Sequence, residues 1–159
     1  MKSRQSKFNF VDRGYKDNLV LIPGWATDYR IFGTLDLKYN YLLPTEVYPF
    51  SFNNELIKFL KESFLNRISL FGWSLGGFLA QDFALNNPEM VDELILLGIR
   101  SKYERKFLDE IESQLSKNKK AFLYKFYLDC FSQSDFDGLL WFKRNLLKDY
   151  CRTMEINEL

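Results

Sequence analysis

The ten residues Ile68-Ser69-Leu70-Phe71-Gly72-Trp73-Ser74-Leu75-Gly76-Gly77 change character at Gly72. Before it runs a short apolar stretch with a β-branched residue, the composition of a strand covered on both faces. After it, apolar residues recur at Leu75, Phe78, Leu79, Phe83 and Leu85, one face of a helix that ends near Asn86-Asn87-Pro88. Ser74 stands at the join, inside Gly72-x-Ser74-x-Gly76. A serine at the tip of so sharp a turn has strained backbone angles, and side chains two positions to either side would strike the adjoining strand and helix; glycine avoids both collisions. The hydroxyl is expected to stand clear of the sheet at a helix N-terminus, where N–H groups and the helix dipole favour developing negative charge. Ser74 is therefore the candidate nucleophile, Gly72 and Gly76 the glycines that permit its turn, and the Leu75 N–H a candidate oxyanion donor.

Working outward, Leu19-Val20-Leu21-Ile22 before Pro23-Gly24 and Leu94-Ile95-Leu96-Leu97-Gly98-Ile99 read as two more buried strands. Asn40-Tyr41-Leu42-Leu43-Pro44 is a weaker one, and Phe8-Asn9-Phe10-Val11 a short edge strand. Leu56, Ile57, Phe59, Leu60 and Phe64 mark a helix ahead of the Ile68 run. Alternation of strand and helix predicts parallel strands joined by crossovers, hence a three-layer α/β core with a mostly parallel sheet. In such a core the loop after the Leu19 strand supplies a second oxyanion donor, here the N–H of Trp25 in Pro23-Gly24-Trp25. Trp25, Ser74 and Leu75 are accordingly the expected substrate-binding residues. In Ala26-Thr27-Asp28-Tyr29, Thr27 or Asp28 reads as a helix N-cap rather than as a catalytic acid.

After Ile99 the alternation stops. One helical stripe runs through Tyr103, Phe107, Leu108, Ile111 and Leu115, and a second through Phe122, Leu123, Phe126, Tyr127, Cys130 and Phe131. A third, through Leu139, Leu140, Phe142, Leu146, Leu147 and Tyr150, follows a turn at 132–138. The change of pattern puts a boundary near Arg100, with an α/β unit over 1–100 and a helical segment over 101–159.

Twenty-two basic and 21 acidic residues leave a net charge of +1, which gives no global field to attract nucleic acid or an anionic membrane. A hydrophobic fraction of 47% argues for a folded domain. No stretch approaches the roughly 20 uninterrupted apolar residues of a membrane helix, and the basic start of the chain is not followed by a signal-peptide core. A cytoplasmic location is expected. The two cysteines, Cys130 and Cys151, lack C-x-x-C spacing, and with no histidine in the chain to complete a zinc site, no metal or redox chemistry is expected. Both read as buried packing thiols.

Leu21-Ile22-Pro23-Gly24-Trp25-Ala26-Thr27-Asp28, taken with Phe71-Gly72-Trp73-Ser74-Leu75-Gly76-Gly77, resembles the α/β-hydrolase superfamily. The nearest branch is the pimeloyl-acyl-carrier-protein methyl ester esterases of biotin synthesis, which share the Gly-Trp loop and the Gly-Trp-Ser elbow. The likeness covers Leu19 to about Ile99 and is looser in the helical segment, which resembles the lid of that family. It implies a serine hydrolase without cofactor, acting on a small-molecule ester or thioester. Two departures stand out. Pro23-Gly24 replaces a common His-Gly, which leaves the backbone donor in place. The aspartate and histidine that follow the lid in relatives have no counterpart, so a fragment is expected in preference to a dedicated pseudoenzyme, and the 159 residues alone should be nearly inert. A free sheet edge beside the Leu94 strand is a further expectation. The branch also implies an acyl carrier protein as partner for helical-segment basic residues such as Arg105, Lys119 and Arg144. Interspersed acids such as Glu104, Asp109 and Glu112 favour an ordinary solvated helix face instead.

Overall fold

The computed structural model describes residues 7–132 and 134–153. The chain forms two compact units, Met1–Ile99 and Arg100–Leu159. The first is a five-stranded sheet: β1 (Phe8–Val11), β2 (Asn18–Ile22), β3 (Asn40–Pro44), β4 (Ile68–Trp73) and β5 (Val91–Leu97), in the spatial order β1-β3-β2-β4-β5. β1 pairs antiparallel with β3, and every other neighbouring pair is parallel. Short apolar runs form the central strands because both of their faces are covered.

On one face, Val20 and Ile22 of β2, Leu42 of β3 and Ile68 and Leu70 of β4 pack against α1 (Phe52–Glu62) and α2 (Leu75–Asn86) through Phe52, Leu56, Leu60, Leu79, Ala80 and Phe83. On the other face Leu19, Leu21 and Tyr41 meet Phe32 of a 3₁₀ turn (Tyr29–Phe32) and its neighbours Ile31 and Leu35. Alternation along β2 thus sends one set of side chains to each side. Asp28 is the N-cap of that turn, accepting from the Arg30 N–H at 2.9 Å and binding the Arg30 guanidinium through both carboxylate oxygens.

Two helix expectations need correction. Phe64 is not on the buried face of α1; it lies beyond the helix end at φ 56 and is 90% exposed. The helix closes there because Leu65 N–H donates to Leu60 O at 2.9 Å and Phe64 N–H to Lys61 O at 3.3 Å, a C-terminal motif that normally uses glycine. Leu85 of α2 is 73% exposed rather than part of the core stripe. The sheet edge at β5 is apolar on both faces, with Leu94, Ile95 and Leu97 all exposed.

The second unit holds α3 (Arg105–Asp129), α4 (Phe136–Asn145) and α5 (Leu147–Thr153). The first two stripes fall on α3 except for Tyr103 before it and Cys130 and Phe131 after it; α3 leaves helical geometry at Asn118, whose side chain accepts from Ala121 N–H at 3.0 Å and so caps the second half. The third stripe divides into α4 and α5 at Leu146. Its expected leading turn is shorter than 132–138, because the Asp135 carboxylate accepts from Gly138 N–H at 3.1 Å and starts the helix at Phe136; Gln133 of that turn lies outside the described residues. Tyr127, Phe142 and Tyr150 form a buried ring cluster with centroids 5.5 to 5.8 Å apart. Cys151 is buried as expected, whereas Cys130, just past the end of α3, is exposed. No described helix is long and apolar enough to cross a membrane.

Candidate active site

Strand order locates a crevice independently of any motif. From β2 the chain moves outward to β3 and then returns to the other side of β2 to form β4, so the connections diverge between the carboxyl ends of β2 and β4. Open parallel sheets bind ligands at such a switch point. The residues there are Pro23 to Thr27 after β2 and Ser74 after β4.

Ser74 is the hinge between β4 and α2, with φ 53 and ψ −118. L-residues rarely occupy this region, and it is held here from several directions. The Ser74 N–H donates to Leu97 O of β5 at 2.8 Å, and the Ser74 carbonyl accepts from Gly77 N–H at 2.9 Å. The Ser74 hydroxyl does not cap α2, and among the described residues it makes no hydrogen bond. It is half-buried. As first residue of α2, Leu75 has an N–H that the helix ladder leaves over, and its side chain is partly exposed at 37%.

The close approach that lets this turn exist depends on missing Cβ atoms. A Cβ at Gly72 would stand 2.5 Å from Gly76 O and 2.6 Å from Gly77 Cα. One at Gly76 would collide with Ile22 O and stand 2.5 Å from Pro23 O, which ties α2 directly to the end of β2. Two further glycines shape the site in ways the motif does not disclose. A Cβ at Gly24 would lie 3.2 Å from Ser74 Cβ, so the loop carrying Trp25 runs directly beside the serine. A Cβ at Gly77 would collide with Ile99 Cγ2. Gly24 is visible in the sequence only as half of a Pro-Gly turn, and its neighbour across the crevice follows from strand order alone.

The loop after β2 is a tight turn in its own right. Thr27 Oγ1 donates to Gly24 O at 2.8 Å and Thr27 N–H reaches the same carbonyl at 3.3 Å, with Ala26 at φ 56. Thus Ala26 and Ser74, two non-glycine residues with positive φ, flank one crevice. The turn places Trp25, half-buried, one residue from the glycine whose Cβ position abuts Ser74. The Asp28 carboxylate is occupied by its cap and by Arg30.

The opposite, amino edge of the sheet is polar and ion-paired. Tyr39 donates to Glu93 at 2.8 Å, and that hydrogen bond, then burial, raises the phenol pKa above its usual value. Asn40 is buried, accepting from the Arg13 and Tyr15 N–H groups and donating to Tyr15 O. Among the described residues, no cluster of three or more histidine, cysteine or acidic side chains could hold a metal ion.

No family model matches the chain, and no curated protein matches it. Solved structures do match in fold. An esterase from Exiguobacterium antarcticum superposes with a TM-score of 0.70 at 19% identity, over 89% of this chain and 64% of its own. A protein named as a non-heme bromoperoxidase from Mycobacterium tuberculosis H37Rv gives 0.68 at 17% identity, over 93% of this chain and 70% of its own. An alpha/beta hydrolase enzyme from a Medee basin deep-sea metagenome library gives 0.68 at 13% identity, over 91% and 62%. The chain thus spans just under two thirds of the length of the first of these. Identities this low speak to architecture and not to reaction, and the architecture of the described residues is that of the α/β-hydrolase fold.

Proposed function

We propose that this chain carries the nucleophile half of a serine hydrolase acting on a carboxylic ester or thioester. The observation that carries the reading is Ser74. It is a half-buried serine in a strained strand-to-helix turn at the sheet's switch point, its hydroxyl uncommitted and its Cβ side against the Gly24-Trp25 loop. Ser74 Oγ attacks the acyl carbon as a base from outside these residues takes its proton, and the N–H groups of Trp25 and Leu75 receive the charge that develops on the carbonyl oxygen; collapse then breaks the bond to the protonated alcohol or thiol and leaves an acyl-serine for water to hydrolyse. The carbonyl addition and collapse need no metal or cofactor.

A serine hydroxyl is a weak nucleophile without a base, and the sequence contains no histidine. These residues alone therefore supply binding and oxyanion stabilisation, and the rate falls by several orders of magnitude relative to a complete triad. The helical unit 100–159 is read as a lid. The Gly-Trp and Gly-Trp-Ser motifs support the pimeloyl-acyl-carrier-protein methyl ester esterase branch as the finer assignment. An acyl carrier protein would then be the carrier of the ester, and the cytoplasm the place of action.

The test supplies the missing base from solution. The protein is treated with a fluorophosphonate in the presence and absence of imidazole, with Ser74→Ala as control. Labelling that needs Ser74 and rises with imidazole supports a nucleophile lacking only its base. No Ser74-dependent labelling of folded protein, with imidazole present, overturns the hydrolase reading in favour of a non-catalytic binding protein of the same fold.

A further inference from the structure

Trp73, the last residue of β4, immediately precedes Ser74 and is half-buried. Its indole lies between two glycines from different loops. A Cβ at Gly24 would stand 3.2 Å from Trp73 Cε3, on the six-membered ring, and 3.2 Å from the Trp73 carbonyl oxygen. A Cβ at Gly98, the residue after β5, would stand 3.6 Å from Cδ1 and Nε1 on the five-membered ring. One rigid side chain thus reaches from the loop after β2 to the turn after β5, across the strand that delivers Ser74. On the β5 side the strands are in register, Trp73 opposite Leu97, and Leu97 O accepts the Ser74 N–H.

We propose that Trp73 is a positioning residue, whose indole fixes the distance of the Gly24-Trp25 segment from Ser74; the inference rests on reading Ser74 as the nucleophile. An ordinary packing tryptophan meets side chains that can change rotamer when it is altered. The two flanks named here are glycine backbone, which has no rotamer with which to refill the space. A Cβ on Gly24 would press on Ser74 and Trp73 together, so Gly24 has room only while both hold their places, and a shift of Gly24 carries the next N–H, that of Trp25, away from the place where an oxyanion above Ser74 would form. Misplacement by about 1 Å at such a site is enough to lower a rate about a hundredfold. Gly98 has φ +62, so the far end of the brace is set by a backbone conformation of its own.

The experiment reads position and reactivity separately, in Trp73→Ala and Trp73→Phe. Amide hydrogen exchange measures how firmly residues 25–27 are held, with Leu19 to Leu21 and Ser69 to Phe71 as internal references. Fluorophosphonate labelling with imidazole present measures Ser74. In Trp73→Ala, exchange at 25–27 rises and labelling slows by about tenfold or more, while the reference amides keep their protection; Trp73→Phe, which keeps a ring against Gly24, recovers most of both. Unchanged exchange at 25–27 in Trp73→Ala overturns the inference, whatever the labelling. So does a rise spread equally over the reference strands, which marks a role in stability only. Should Trp73→Ala fail to fold, Trp73→Phe decides by the same criteria, with a smaller rise confined to 25–27 expected. A wild-type protein that is never labelled defeats the nucleophile reading, and the exchange arm still shows whether Trp73 holds the loop.

Discussion

Phe64 and Ser74 have nearly the same unfavourable backbone angle, φ 56 and φ 53, and differ in everything that surrounds them. Phe64 closes α1 through two hydrogen bonds to Leu60 and Lys61, and its ring is 90% exposed. Glycine could perform that closure with less strain. Ser74 is bonded through its N–H to β5 and through its carbonyl to Gly77, and it is bracketed by glycines whose neighbours leave no space for a Cβ. The strain at 64 is a local cost of ending a helix. At 74 it is imposed by the junction of β2, β4, β5 and α2, and it sets the serine at the sheet's switch point.

The largest effect should come from breaking that junction. Gly76→Ala drives a Cβ into Ile22 O and Pro23 O, which are backbone and cannot rotate away; urea unfolding should show a loss of about 3 kcal/mol. A loss below about 1 kcal/mol would mean the junction yields easily and that Ser74 is no better supported than Phe64. Gly77→Ala meets the methyl of Ile99 instead, a side chain that can give way, and gains helix propensity in return. A net cost of about 1 kcal/mol is expected, shrinking in an Ile99→Ala background; a cost that stays the same there would put the resistance elsewhere.

Ser74→Gly tests strain against function at one residue. Relief of positive φ should stabilise the protein by about 1 kcal/mol while all Ser74-dependent labelling is lost. Equal or lower stability would mean that the serine side chain gains as much as the backbone loses. The smallest change should be Phe64→Gly, a gain of about 0.5 kcal/mol with labelling unaffected, since nothing at 64 communicates with the crevice. Thermal midpoints of the two glycine variants, measured side by side, show whether the two turns store comparable strain.

The fold was legible in the sequence where periodicity changed abruptly. The apolar runs at Leu19 and Ile68 formed central strands, and even the weak Asn40 and Phe8 stretches entered the sheet; the Leu94 run, read as buried, is instead an exposed edge strand, because apolar composition does not disclose which strand lacks a neighbour. Helix ends were less legible. Phe64 continues the i, i+4 spacing from Leu60, and no glycine announces the stop, so the stripe runs past the helix. Asn118 reads as one more polar residue on a solvated face, although its side chain caps the second half of α3. Cys130 continues the Phe126-Tyr127 stripe, but α3 ends at Asp129 and the residue is exposed.

For the site, sequence alone determined a serine between two glycines at a strand-to-helix join, because steric exclusion at such a turn is a property of neighbours along the chain. It also determined that no imidazole is available from these 159 residues. Only the tertiary structure decided that Gly24 lies against Ser74 and that the Trp73 indole reaches from Gly24 to Gly98. Those approaches join residues about 50 and about 25 positions apart, and they are fixed by the order in which strands add to the sheet, for which local spacing carries no signal.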